Sequence, residues 1–158
     1  MSCKPEEWTE IRLTVESGAG ETVVPQSEAS NVMTVEGDRK GCRYEVANGE
    51  VIRNLGVKQC SIVTNDGGVP KNINLQVADV HKGLLSVIEL VKSGHRVVFD
   101  NEWSFIEDKD SGWTDTIDQK EDEFELVAWV KAAQGTQSGP DKPESGTTNK
   151  PVFGRPGR

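Results

Sequence analysis

Asn48-Gly49 stands between two runs of extended character, Arg43 to Val46 and Val51 to Asn54. Asn-Gly at such a place is the strongest short-range signal for a β-hairpin with a two-residue turn, because both turn positions need a positive φ. The second run continues as a strand through Leu55 to Thr64. A hairpin of this kind commits the chain to antiparallel pairing, so we expect a β-rich fold.

Further short strands show alternating apolar and polar residues between turns rich in Gly and Asn. They cover residues 8–15, 22–24, 73–80, 96–99, 103–107 and 124–130. One helix is expected from Leu84 to Lys92, with Gly94 as its C-terminal residue. Its apolar stripe at helical spacing consists of Leu84, Val87, Ile88 and Val91. These elements predict a mostly all-β fold, a small barrel or sandwich with one short helix.

The chain divides into three regions by composition. Residues 1–7 form a short polar N-terminal extension, and residues 8–131 are long enough for a single core. Residues 132–158 contain five Gly and four Pro but only one Val and one Phe. Such a segment buries too little apolar surface to offset its ordering entropy, so we expect a disordered tail or linker.

Charge and hydropathy exclude several classes of function. The net charge is −8, and the tail carries two more basic than acidic residues, so the body is more acidic still. An acidic body argues against nucleic-acid binding by this domain, since affinity for phosphate comes mainly from Lys and Arg. No apolar run is long enough to span a membrane, and residues 1–7 lack a signal core. We expect an intracellular, cytoplasmic protein or a piece of a larger one.

Several sequence patterns fail as catalytic or binding motifs. Gly18-Ala19-Gly20 leads into a β-branched run rather than a helix, which does not suit a dinucleotide fingerprint. Ser17 lies in no G-x-S-x-G arrangement, and the two histidines are isolated. Three cysteines without C-x-x-C spacing suggest reduced thiols rather than a zinc site or disulfides, with Cys60 a packing residue. We therefore predict no metal and no cofactor.

The remaining pattern is an apolar strand, Ile11 to Val15, followed by Glu16-Ser17-Gly18-Ala19. It resembles the active-site loop of retropepsin-like aspartic peptidases, whose pattern is apolar-apolar-Asp-[Ser/Thr]-Gly-Ala. Residues 46–56, VANGEVIRNLG, are similar to the flap hairpin of peptidases in retrotransposon Pol polyproteins. Residues 78–100, which contain ADV, LLSVIEL and SGHRVVFD, resemble the closing segment of the same peptidase regions. The three blocks occur in the family's order and cover most of residues 11–107.

The resemblance implies an aspartic endopeptidase that acts on a peptide or polyprotein substrate as a homodimer. Each subunit would supply one acid, here Glu16, to a shared pair, and Ser17 would cross-brace the two loops. Gly18 and Ala19 would let the two backbones approach at the dimer axis. The same resemblance implies substrate contacts for Ala47, Asn48, Gly49, Leu84 and Leu85.

Position 16 departs from the family, which has Asp where this chain has Glu. The extra methylene moves the carboxylate by about 1 Å, and a misplacement of that size can cost ~10²-fold in rate. Two rival interpretations therefore stay open. One is a catalytically dead dimerisation or peptide-binding module of a polyprotein, and the other is a structural segment whose tail links it to the next domain.

Overall fold

The computed structural model describes residues 7–46 and 48–133. Within these residues it contains ten strands and one helix, which confirms the predicted mostly all-β class with one short helix. The elements in chain order are β1 Thr9–Glu16, β2 Val23–Val24, β3 Arg43–Glu45, β4 Val51–Thr64, β5 Gly67–Ala78, β6 Gly83–Ser86, α1 Val87–Lys92, β7 His95–Val98, β8 Ser104–Asp108, β9 Thr114–Lys120 and β10 Glu123–Ala132.

The strands form one mixed sheet in the order β3-β4-β5-β2-β6-β1-β10-β9-β8-β7. An additional pairing between β4 and β10 returns the order to β4, so six strands form a closed ring of hydrogen-bonded neighbours. Two of the pairings in the ring are parallel, β1 with β6 and β2 with β5. The parallel β1–β6 pair brings the C-terminal ends of two strands, Glu16 and Ser86, side by side.

The core lies inside this ring. Alternate residues of β1, β5 and β10 point inward, as period-two alternation requires. The most deeply buried large side chains are Ile11, Leu13, Leu75, Leu85, Val24, Val77 and Val130. Cys60 joins this cluster as a buried packing residue, and burial raises the pKa of its thiol to about 12.

The hairpin between β3 and β4 forms where it was predicted, but with a wider loop. Val46 N–H donates to Glu50 O at 2.9 Å, and Gly49 N–H donates to Val46 O at 2.8 Å. The connection between Val46 and Glu50 is therefore longer than a two-residue turn, and Gly49 has a φ of 89°. A left-handed third residue is typical of three-residue hairpin loops, and glycine adopts it without a Cβ clash.

The predicted start of the helix was wrong. Leu84 and Leu85 belong to β6, and the helix begins only at Val87 after the N-cap Ser86. The predicted apolar stripe is also wrong, because Ile88 and Val91 are exposed and Leu90 is the buried residue of α1. The C-terminal end was predicted correctly, since Gly94 has a φ of 94°.

The C-terminal part of the described chain belongs to the same sheet. β9 was not predicted, and β10 pairs with β1, β4 and β9 at once. β10 includes Ala132, and Ala133 N–H donates to Gln59 O at 3.0 Å. The predicted tail beyond Ala133 and the first six residues lie outside the described residues. Among the described helices, none is long and apolar enough to cross a bilayer.

Candidate functional site

Glu16 is the last residue of β1, and its half-buried side chain turns toward the loop that follows it. Its Oε2 accepts a hydrogen bond from Gly18 N–H at 3.1 Å. A Cβ added to Gly18 would lie 3.2 Å from the same oxygen, so the missing side chain leaves the carboxylate room to reach the amide. The loop thus holds the Glu16 carboxylate in place through its own Gly18 amide.

Ser17 and Ala19 complete the loop that follows Glu16. Ser17 is exposed, and Ala19 is half-buried. The Ala19 carbonyl accepts a hydrogen bond from Ser86 Oγ at 2.7 Å. Because Ser86 also pairs with Glu16 in the parallel β1–β6 ladder, one residue fixes both ends of the Glu16–Ala19 turn.

Thr22 joins the loop to the start of α1. Ser86 Oγ accepts from Glu89 N–H at 3.1 Å, the first half of a capping box. The second half is shared with Thr22, since Ser86 N–H donates to Thr22 Oγ1 at 3.0 Å and Thr22 N–H donates to Glu89 Oε1 at 3.1 Å. A motif that caps the helix therefore also anchors the far end of the Glu16 loop.

A cavity of about 340 Å³ lies beside this anchor, between β5 and α1. Polar groups of Asn74, Gln76, Glu89 and Lys92 contribute to its wall. Glu89 as a whole residue is exposed, but its carboxyl group is partly buried against Thr22. Burial raises the pKa of the Glu89 carboxyl, and the hydrogen bonds from Thr22 oppose that effect.

A second polar network joins the hairpin to the segment after Glu16. Tyr44 of β3 donates its hydroxyl hydrogen to Glu21 Oε1 at 2.6 Å, and Arg39 pairs with Glu21 Oε2 at 2.6 Å. Asn54 of β4, 2% exposed, donates to Tyr44 OH and to Gln76 Oε1, each at 2.8 Å. We call Arg39, Glu21, Tyr44, Asn54 and Gln76 the Tyr44 network.

The residues predicted to contact substrate lie in different places. Asn48 and Gly49 are exposed at the hairpin tip, and Ala47 lies outside the described residues. Leu84 is half-buried in β6, whereas Leu85 is 1% exposed and part of the core. The structure thus presents the hairpin tip to solvent, and the buried Leu85 lines the cavity between β5 and α1.

Metal-binding groups do not gather in the described part of the chain. No cluster of three or more His, Cys, Asp or Glu side chains with metal-binding geometry occurs among residues 7–46 and 48–133. His95 is buried between α1 and β8, where its Nδ1 lies 3.1 Å from Ser93 Oγ. This histidine is a packing residue of the sheet rather than part of the Glu16 site.

Glu21, Tyr44, Asn54 and Glu89 were not predicted as site residues. Tyr44 and Glu21 are 23 positions apart, so no local pattern connects them. Ser86 and Glu89 carry the S-x-x-E spacing of a capping box, which was visible in the sequence and points to the helix start.

Comparison with known proteins adds no family assignment. No protein-family model, no curated protein and no solved structure matches the chain.

Proposed function

We propose that this chain is a retropepsin-like aspartic endopeptidase of a retroelement polyprotein, with Glu16 in the place of the family's Asp. The observation that carries the proposal is the Glu16 carboxylate at the end of β1, with one oxygen on the Gly18 amide. The sequence blocks around it resemble the family in the same order. The proposed active form is a homodimer that brings two Glu16 loops together.

The chemistry follows from two carboxylates at short distance. Two acids held close cannot both ionise, so the pair keeps one proton at working pH. The ionised Glu16 takes a proton from a water molecule while the protonated Glu16 of the second copy donates to the peptide carbonyl or the leaving amine. The exposed Ser17 is free to reach across to the second loop.

The hairpin supports this proposal by its attachment. The Tyr44 network ties β3 and β4 to the segment between Glu16 and β2. A hairpin whose tip is exposed and whose base is bonded to the acidic loop suits a flap that closes over an extended peptide. The peptide would lie between the tip, Asn48-Gly49, and the carboxylates.

A second candidate function has its own supporting observation. Glu16 has a side chain one methylene longer than Asp, and one of its carboxylate oxygens accepts a hydrogen bond from Gly18 of its own loop. If that geometry prevents catalysis, the same fold acts as a dimerisation or peptide-binding module without chemistry. Both candidates share the loop and the hairpin and differ only in whether bonds are broken.

Cleavage of an unbiased peptide library by three forms of the full chain tests the proposal. The forms are wild type, Glu16→Asp and Glu16→Ala, each assayed from pH 4 to pH 7. We expect cleavage by wild type, faster cleavage by Glu16→Asp and none by Glu16→Ala. Glu102→Ala, which removes an exposed acid from a turn, is the matched control and should cleave like wild type.

The remaining outcomes are equally decisive. Cleavage by Glu16→Asp alone would assign the wild type to the second candidate, a decayed peptidase. Equal cleavage by wild type and Glu16→Ala would remove Glu16 from the mechanism. A strictly monomeric wild type in light scattering, at any concentration that cleaves, would exclude the shared pair.

A further inference from the structure

The Tyr44 network connects two parts of the chain that the strand ladders leave separate. β3 pairs only with β4 in the described residues, and the Glu16–Thr22 segment pairs with neither strand of the hairpin. The phenol of Tyr44 spans this gap, since it accepts from Asn54 Nδ2 and donates to Glu21 Oε1. One side chain of the hairpin, Tyr44, therefore contacts the Glu21 carboxylate, and a second, Asn54, holds the Tyr44 phenol.

Both sides of this bridge are fixed to the body of the fold. Asn54 Oδ1 accepts from Gly56 N–H at 2.8 Å, and its amide also reaches Gln76 of β5. On the other side, Glu21 adjoins Thr22, whose N–H bonds Glu89 and whose carbonyl accepts from Gln76 N–H at 3.0 Å. Glu21 therefore adjoins an anchored residue, and Glu16, at the other end of the same short loop, is fixed in the ladder with Ser86.

We infer that Tyr44 is a positioning residue, whose bond to Glu21 sets the place of the hairpin relative to the Glu16 carboxylate. Its consequence for peptide cleavage rests on the function proposed above, whereas the bridge itself does not. Breaking the bond leaves the strand ladders intact but lets the hairpin move away from the acidic loop. Arg39 strengthens the bridge by holding the other oxygen of the same carboxylate, Glu21 Oε2, at 2.6 Å.

The surroundings of the phenol agree with this role. Burial raises the pKa of Tyr44 to about 12, and the hydrogen bond to Glu21 acts in the same direction. The phenol thus stays neutral and remains a hydrogen-bond donor over the whole pH range in which proteins work. Tyr44 is the single tyrosine of the chain, so absorbance of tyrosinate at 295 nm reports on this one residue.

The test combines a titration with hydrogen exchange on the full chain. At pH 11, with folding checked by circular dichroism, about one tenth of Tyr44 should be ionised in wild type. Glu21→Gln should raise that fraction severalfold, whereas Glu45→Gln, an exposed acid beside Tyr44 in β3, should leave it unchanged. In Tyr44→Phe, the backbone amides of residues 43–54 should exchange about five- to tenfold faster than in wild type, while those of β1 and β10 keep their rates.

Kinetics separate positioning from a general loss of folded protein. With a cleaved peptide in hand, Tyr44→Phe should raise KM at least threefold with kcat within twofold of wild type, because a displaced hairpin weakens binding of substrate and transition state alike. A lowered kcat at unchanged KM would indicate only a smaller folded fraction and would overturn the positioning role.

The two proposals fail in distinguishable ways. An ionised fraction of Tyr44 near nine tenths at pH 11 in folded wild type, or unchanged exchange of the hairpin in Tyr44→Phe, overturns the bridge whatever the chain cleaves. The expected titration and exchange, together with no cleavage by wild type or Glu16→Asp, retain the bridge and overturn the peptidase.

Discussion

Lys58 Nζ donates a 3.0 Å hydrogen bond to the carbonyl of Ala29, a residue held at a φ of 57°. The same ammonium donates to Gln26 O at 3.0 Å and to Glu28 O at 2.9 Å. Lys58 is only 2% exposed, so three carbonyls satisfy all three of its donors. The buried Lys58 ammonium thus holds the long connection between β2 and β3 in place through three of its carbonyls.

Replacement of that cation should be costly. Lys58→Met keeps the aliphatic stem but leaves three carbonyls without their donor, and we expect it to lower the free energy of unfolding by about 2–4 kcal/mol. Urea denaturation measures the change. Lys40→Met, which removes an exposed lysine paired with Glu36, should change it by less than ~0.5 kcal/mol. Equal losses for the two variants would contradict the buried role.

Gly18 and Gly20, both in the loop between Glu16 and Thr22, form a matched pair for testing the geometry of the Glu16 carboxylate. A Cβ at Gly18 would meet Glu16 Oε2 at 3.2 Å, whereas one at Gly20 would meet nothing within 4 Å. Gly18→Ala should displace the carboxylate and lower kcat/KM for peptide cleavage by about 10- to 100-fold. Gly20→Ala should stay within about threefold of wild type. Both variants should keep the wild-type circular dichroism spectrum, and equal rates would show that the Gly18 contact is unimportant.

Gly56 should tolerate no side chain. Its φ is 141°, and an added Cβ would lie 2.6 Å from Val35 O in the isolated bridge between Val35 and Val57. We expect Gly56→Ala to lower the free energy of unfolding by more than about 3 kcal/mol. Gly41→Ala shares the positive φ, at 89°, but meets no atom within 4 Å, so it should cost about 1 kcal/mol. Thermal or urea unfolding of both variants measures the difference.

His95 should make the fold sensitive to mild acid. Burial lowers the pKa of its imidazole below 6.5, although the nearby Asp108 opposes the shift. Below pH 6.5 the unfolded chain therefore binds a proton that the folded chain does not, and stability falls as pH falls toward the lower folded value. The slope from this one group is at most about 1.4 kcal/mol per pH unit.

Unfolding free energies measured at pH 5, 6, 7 and 8 check this dependence. His95→Gln should lose stability overall, but its curve should be flatter than that of wild type between pH 6.5 and 5. His81→Gln, which changes an exposed histidine, should keep the wild-type slope. A wild-type slope in His95→Gln would assign the acid sensitivity to other groups.

Period-two alternation made β1 and most of β5 predictable, two of the six strands in the central ring. In β1 the inward residues Ile11, Leu13 and Val15 alternate with Arg12 and Thr14, and the structure buries the first set. β9 escaped prediction because only Ile117 of its seven residues is buried. A strand with one face in solvent and a single inward side chain has almost no hydrophobic period to detect.

The helix start shows where periodicity misleads. Helical spacing is matched by Leu84, Val87, Ile88 and Val91. Leu84 nevertheless belongs to a strand, because it pairs with Thr14 in the parallel β1–β6 ladder. Short apolar runs fit both periods, and tertiary pairing decides between them. Asn48 and Gly49 were predictable as the hairpin tip, whereas Glu16, expected in the turn, is the last residue of β1. The Tyr44 network was not, since it depends on side chains brought together only by the sheet.

The closed ring has a consequence for the order in which the chain folds. Thr9 pairs with Val130, so the first strand finds its antiparallel partner only after more than a hundred further residues have been made. Contacts of such sequence separation slow folding, because loop closure must precede any gain from pairing. During synthesis, β1 to β6 leave the ribosome first, and one edge of β1 and one edge of β4 then lack a partner strand. β10 pairs with both edges when it follows. The strand that carries Glu16 at its end thus has both neighbours only when the last described strand arrives.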